Sequence, residues 1–547
     1  MIPLILFVLS LSLLPSLFAL DLAGLRHRSI YQVLTDRFAR DDGLSPYCEL
    51  EPRRYCGGTW KGIEQRLEYI QGMGFDTVWI SPVAENIEDT PYHAGGYHGY
   101  WTADIRKLNP HFGTSQDLKD LSEALHARGM YLMVDVVVNH VGAYSRDEFL
   151  PSTYYGPFDS PADFHPYCLP NYDDQEQTEQ CWLADQMPDL NTESPRVVRT
   201  LHAWVKDLVE TYHIDALRVD TVKHIRKDFW PDFVRSAGVV GMGEVLHGDP
   251  VYLAPYQREA MSSLLDYATY WHIKSTFQDT SKSVAELVDM MGRVHRLLPD
   301  PTALGSFLDN HDFPRFAGQV GDPALVRSAA VLPFVNDGFP IVYMGQEHGL
   351  TGGHDPYNRE AIWLYGYDSN MDMYNFFKTL NHARQIAITS HPTFLSTLSR
   401  PHQANNHTIA ISKPPLLSVV TNTGSHVPAV GIYMAPSQTG YKPLLPIIDV
   451  LSEQILSTDP RGGLTVPIVS GQPRVFLPLS LYRDKSSTES WAPNPMRIDN
   501  IETGSKSGHG SPTSPTSPHA HWKRGSLDRV FSFFGSVSGG AKSRDGL

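Results

Sequence analysis

Four short clusters hold most of the chain's reactive side chains: Asp135-Val-Val-Val-Asn139-His140, Arg218-Val-Asp220-Thr-Val-Lys223-His224, Gly243-Glu244 and Asp309-Asn-His311-Asp312. Three carboxylates, Asp220, Glu244 and Asp312, stand beside Arg218, His140 and His311. Carboxylates converging in a cleft suit hydrolysis of a glycosidic bond. One attacks the anomeric carbon, and a second protonates the leaving oxygen and later activates water. Arg218 and Asp220 are two apart, so on a strand they share a face, and the guanidinium would favour an ionised Asp220, as a nucleophile needs. Glu244 follows an apolar run without Lys or Arg. Burial and the nearby carboxylates are expected to raise its pKa, as an acid needs. Asp312 and His311 could hold sugar hydroxyls. Each residue alone has a plainer reading: Arg-x-Asp as a structural ion pair, His140 as a hydrogen-bonded histidine, Asn139 as a turn residue, Trp101 as core. Four such clusters at four strand ends outweigh those readings.

The elements that position the clusters are legible as short apolar runs separated by amphipathic stretches. The runs are Ile30–Leu34, Thr77–Ile80, Tyr131–Val138, Ile214–Val219, Val239–Val245, Leu304–Leu308 and Pro340–Met344, with a weaker one near Leu264–Tyr267. Between them lie segments such as Ser115–Arg128 and Arg196–Tyr212, apolar at helical spacing. Alternating strand and helix predicts the α/β class and a (β/α)8 TIM barrel over residues 21–140 and 196–395, with its reactive groups at the C-terminal strand ends. Residues 141–195 are too long for a bare loop and read as a small inserted domain after strand three. Alternating runs such as HTIAIS, LLSVVTN and AVGIYMA predict a C-terminal antiparallel β domain over 396–483. Residues 484–547, rich in Ser, Pro and Gly, read as a disordered tail.

Lys and Arg number 45 against 60 Asp and Glu, for a net charge of −15. That argues against a nucleic-acid partner and against a basic membrane-surface protein. Residues 2–20 are apolar and uncharged, and residues 1–20 read as a secretory leader, with no stable membrane span expected after its removal. Export permits disulfides. The four cysteines fall into two local pairs, Cys48 with Cys56 and Cys168 with Cys181. A zinc site is the rival reading, but neither pair has the tight spacing of zinc ligands. Asn406-His407-Thr408 is a glycosylation sequon.

Together the motifs DVVVNH, LRVDTVKH, GEVL and FLDNHD, with IYQVLTDRFAR, YCGGTWKGI, YIQGMGF, KDFWPDF and GGHDPYNRE, resemble glycoside hydrolase family 13, most closely its secreted fungal α-amylases of the Taka-amylase type. The resemblance runs from about residue 25 to 480. It implies Asp220 as nucleophile, Glu244 as acid/base and Asp312 as transition-state stabiliser. It implies substrate contacts at Trp101, His140, Arg218, Lys223, Gly248, His311, Asp355 and Arg359. It also implies a structural Ca²⁺ held by Asn139, Glu179, Asp189 and His224, the last through its main-chain carbonyl. The chain departs from the family at Arg53, where a Gln is usual, and in a shorter loop before Asp189. The implied partner is an α-glucan, and a secreted monomer, free or associated with the cell wall, is expected. A glucanotransferase acting on α-glucan in the fungal cell wall is the alternative; a non-catalytic carbohydrate-binding member is weighed last.

Overall fold

The structure, a computed structural model, describes residues 19–486. The expected leader up to residue 18 and the expected tail from residue 487 lie outside the described residues. Eight parallel strands close into a barrel: β1 Ile30–Val33, β2 Thr77–Ile80, β3 Tyr131–Val136, β4 Ala216–Val219, β5 Val240–Gly243, β6 Ser263–Leu265, β7 Leu304–Phe307 and β8 Phe339–Tyr343. Pairing of β1 with both β2 and β8 closes the ring. The weak run near residue 264 is β6, the shortest strand of the barrel.

Strand alternation sorts the barrel's side chains. Val78, Leu132, Leu217 and Val219 pack outward into the main core, while Trp79, Met133, Ala216 and Met242 fill the interior. Side chains two apart face the same way, so Asp135 and Arg218 continue the interior rows. They are also register partners across β3 and β4. The outer helices follow their apolar spacing. In the helix Pro195–Tyr212, Val197, Leu201, Val205 and Leu208 form the buried face; Pro occupies the first turn and His213 closes the end in a left-handed conformation.

Between β3 and that helix lie two 3₁₀ turns, Thr153–Tyr155 and Pro161–Asp163, and the helix Gln175–Gln180. Edge-on contacts of Phe149 with Phe164 and Trp182 supply a small core. Bridges pair His140 with Asp189 and Phe164 with Leu190. Cys168–Cys181 closes one loop and Cys48–Cys56 another, so both expected pairs form.

The C-terminal strands are β9 Arg400–Asn405, β10 Thr408–Lys413, β11 Leu416–Thr421, β12 Val430–Met434, β13 Pro446–Asp449, β14 Ile455–Ser457, β15 Leu464–Ile468 and β16 Arg474–Pro478. They form an antiparallel six-stranded sheet in the order β14-β13-β16-β11-β10-β9 and a β12-β15 pair. A buried ion pair joins this sheet to the barrel: Lys413 donates to Asp337, which also meets His295. Asn406 lies exposed in the β9–β10 turn. The helix Leu479–Ser486 follows β16 and crosses the boundary expected at 483.

Candidate active site

The C-terminal ends of β3, β4, β5 and β7 bring the four clusters together around Arg218. This guanidinium is 1% exposed and reaches three carboxylates. Its Nη1 donates to Asp220 Oδ1 at 2.8 Å and to Asp135 at 3.0 Å, and its Nη2 pairs with Glu244 Oε2 at 3.1 Å. Asp135 also accepts from Trp79 Nε1 and from the Tyr100 hydroxyl. A chain of donors thus steadies the carboxylate beneath the nucleophile candidate.

Arg218 favours an ionised Asp220, as the two-apart spacing predicts, but burial is the larger effect and pushes Asp220 above the ordinary carboxylate range. Burial raises Glu244 as well, again against the pull of Arg218. The two-apart rule sees only one strand, whereas a forked guanidinium spans two.

The backbone after β4 aids the arrangement. Thr221 sits at φ 48°, a left-handed conformation that a β-branched residue rarely adopts. Its N–H donates to Glu244 Oε2 at 3.1 Å. Such local strain tends to persist where a site over-determines it.

Asp312 is more open, its side chain 38% exposed. It lies 3.4 Å from His311 Nε2 and 3.7 Å from Arg359 Nη2. Gln32 Nε2 meets His311 Nδ1 at 2.8 Å, which leaves the His311 proton on Nε2, toward Asp312. Burial holds His311 well below the usual histidine range, so the ring is a neutral donor. Tyr100 stacks on it at 5.0 Å. Burial likewise lowers His140 to about 4, and its Nε2 meets the Tyr100 carbonyl at 3.2 Å.

The remaining candidates divide. Lys223 donates to the Leu246 carbonyl and lies over the Tyr172 ring. Gly248 leaves room beside Trp271, since a Cβ there would sit 3.2 Å from its indole. Asp355 pairs with Arg359 at 2.9 Å, and Arg53 reaches the Asp355 carbonyl at 3.0 Å. Trp101 is half-buried edge-on to His98. Sequence reasoning passed over Asp135, Tyr100, Gln32 and Tyr267. Asp135 opens a cluster already singled out, Tyr100 precedes the candidate Trp101, and Gln32 and Tyr267 lie in predicted strand runs. The contacts of Gln32 and Tyr267, however, are to residues of other strands, which no pattern within one run marks.

Residues expected to hold a metal lie beside this rim. The Leu190 N–H donates to the Asn139 carbonyl, and His165 meets Asp189 Oδ2. Asn139 Oδ1 and Asp189 Oδ1 are buried without a hydrogen-bond partner. The helix Gln175–Gln180, which carries Glu179, packs on the turn Val222–His224, where His224 Nδ1 meets the Thr178 carbonyl. Two unpartnered buried oxygens with main-chain carbonyls nearby fit a hard cation. No group of three or more His, Cys, Asp or Glu side chains among the described residues forms a metal cluster.

Comparisons with known proteins agree with this geometry. Residues 32–385 match the family described as "Alpha amylase, catalytic domain", and residues 402–487 match "Alpha-amylase, domain C". An α-amylase of Saccharomycopsis fibuligera is 41% identical, the match covering 84% of this chain and 93% of that one. Alpha-amylase 2 of Schwanniomyces occidentalis is 42% identical over 84% of this chain and 91% of its own. The solved structure of an α-amylase from Malbranchea cinnamomea superposes with a TM-score of 0.82 at 42% identity, covering 84% of this chain and 98% of that one. With the barrel, the C-terminal sheet and the carboxylate centre all in place, the chain belongs to the α-amylase family of glycoside hydrolases.

Proposed function

We propose that this enzyme hydrolyses internal α-1,4-glucosidic bonds of starch, glycogen and maltooligosaccharides with net retention of anomeric configuration. The observation that carries the reading is the single guanidinium shared by Asp220 and Glu244. It favours the close pairing of about 5–5.5 Å used for direct attack over the roughly 6.5–9.5 Å that leaves room for a water. Asp220 attacks the anomeric carbon while Glu244 protonates the departing oxygen. Water then attacks the glycosyl-enzyme, and Glu244 takes its proton. Asp312 stabilises the positive charge that develops between these steps, and the His311 Nε2–H donates to a sugar hydroxyl. Trp101, His140, Lys223, Gly248, Asp355 and Arg359 extend the cleft along the glucan.

The test is incubation with maltooligosaccharides of single length. Only shorter products are expected, released first as the α-anomer by proton NMR before mutarotation. Longer products would favour transfer to a second sugar, and an initial β-anomer would exclude Asp220 as a covalent nucleophile.

Asn139, Glu179, Asp189 and the main-chain carbonyl of His224 would hold a Ca²⁺, which lends positive charge and rigidity where the insert meets β3 and β4. An ion that binds only the folded chain stabilises it by mass action. Chelation should lower Tm, and added Ca²⁺ should restore it. An unchanged Tm after verified metal removal would count against the site.

We further propose secretion. The leader would end at Ala19, one residue earlier than the expected boundary. Leu20 is 7% exposed in the barrel floor, its N–H donating to the Asp215 carbonyl and its carbonyl accepting from Val240. Among the described residues no helix is long and apolar enough to cross a membrane.

A further inference from the structure

Glu244 has two oxygens in different company. Oε2 accepts from the Thr221 N–H at 3.1 Å and lies 3.1 Å from Arg218 Nη2. Both partners are donors with no accepting capacity. A proton on Oε2 would face two N–H groups, so the neutral acid must carry its proton on Oε1. The hydrogen bond the structure gives Oε1 is from the Tyr267 hydroxyl, at 3.3 Å. That hydroxyl in turn accepts from Asn310 Nδ2 at 3.3 Å. The Asn310 amide cannot turn over, because its Oδ1 already accepts the N–H groups of Asp312 and Phe313, both at 3.1 Å. Its donor end therefore faces Tyr267, and the phenolic proton is left free to point at Glu244.

We propose that Asn310 and Tyr267 form a positioning brace that assigns the transferable proton of Glu244 to Oε1 and steadies the carboxylate once that proton has left. The brace rests on Glu244 as the acid/base. As the C1–O bond breaks, its electron pair stays on the leaving oxygen, which takes the proton from Oε1. The new anion is met by the Tyr267 O–H on one oxygen and by Thr221 and Arg218 on the other. In the second half-reaction water loses a proton to Oε1. Asn310 also holds the backbone of Asp312, so one amide links the acid/base to the third carboxylate.

The groups facing Glu244 are Arg218 on β4, Asp220 and Lys223 after β4, His140 after β3, Asp312 after β7 and Tyr267 after β6. Of these, Tyr267 donates a hydrogen bond to Glu244 and can be silenced without altering charge. Its hydrogen bond favours the ionised carboxylate, so removing it raises the pKa of the acid. The ring of Tyr267→Phe keeps its packing against Phe307 and Tyr270.

In Tyr267→Phe, kcat on maltooligosaccharides is expected to fall about tenfold, the loss usual for a hydrogen bond to a charged group, with KM nearly unchanged. The alkaline limb of the kcat/KM profile should move up by about one pH unit, the same free energy. On an aryl maltotrioside with an acidic phenol as leaving group, bond breaking needs little proton donation, and the loss should shrink. Asn310→Ser, which removes the amide donor and leaves Tyr267 in place, should move the limb the same way by less. An unmoved limb in both folded variants, or an equal loss on both substrates, would overturn the brace. Glu244→Gln separates the two ideas: if it stays active the acid/base assignment itself fails, whereas an inactive Glu244→Gln beside an unaltered Tyr267→Phe sinks only the brace.

Discussion

Asp220→Asn and Glu244→Gln are each expected to lower kcat on soluble starch by on the order of 10⁴-fold or more, as loss of a covalent nucleophile or its proton donor does in other hydrolases. Neither change alters side-chain volume much. In Asp220→Asn the amide carbonyl can still accept from Arg218. In Glu244→Gln it can still accept from the Thr221 N–H, so the site should keep its shape. Stability sharpens the test. Burial raises the pKa of Asp220 in the folded chain above its unfolded value. A carboxyl shifted that way contributes stability below the unfolded pKa and loses it as pH rises through the folded one. At neutral pH its charge is therefore a cost to the fold, and Asp220→Asn should raise Tm while abolishing turnover. An inactive variant with a lowered Tm would instead mean that the substitution damaged the fold. Near wild-type turnover in either variant would end the catalytic assignment.

How much of this was legible before the structure depends on the range of the contact. Strand ends were readable because a buried parallel strand is an apolar run, and the polar residues that follow it must lie on the rim. That logic places Asp220, Glu244, His311 and Asp312 at one end of one barrel, as the structure has them. The cysteine pairs were readable because each closes a short local loop. What escaped are contacts between side chains on different strands. Gln32 leaves β1 to fix the tautomer of His311 on β7, and Tyr267 after β6 reaches Glu244 after β5. No periodicity within one strand encodes such pairs. The same limit hides the cation of Glu244, which comes from the neighbouring strand. The sheet order β14-β13-β16-β11-β10-β9 likewise depends on which edges meet, not on any one strand's pattern.

Arg218→Met should prove the most damaging change away from the three carboxylates. The side chain it replaces is buried and pairs with Asp135, Asp220 and Glu244 at once. Methionine fills some of the volume but leaves three buried carboxyls without their cation. Breaking a buried pair from one side typically costs about 3–5 kcal/mol of stability. The loss must depend on pH. Without Arg218 all three folded pKa values rise further above their unfolded values, so the deficit shrinks as pH falls below the folded values, where the carboxyls are protonated with or without the cation, and grows as pH rises through them. Activity follows the same sign. Asp220 must be ionised to attack, so the acidic limb of kcat/KM should move to higher pH. At neutral pH the value should fall on the order of 10²–10³-fold, as when a preorganised donor is removed from an active site. Arg218→Lys separates charge from shape. A single ammonium can satisfy the buried charge but cannot span Asp220 and Glu244 as the fork does. Lys should therefore recover much of the lost Tm and little of the lost rate. If the methionine variant kept both its rate and its acidic limb, the shared guanidinium would not be what organises the nucleophile and the acid.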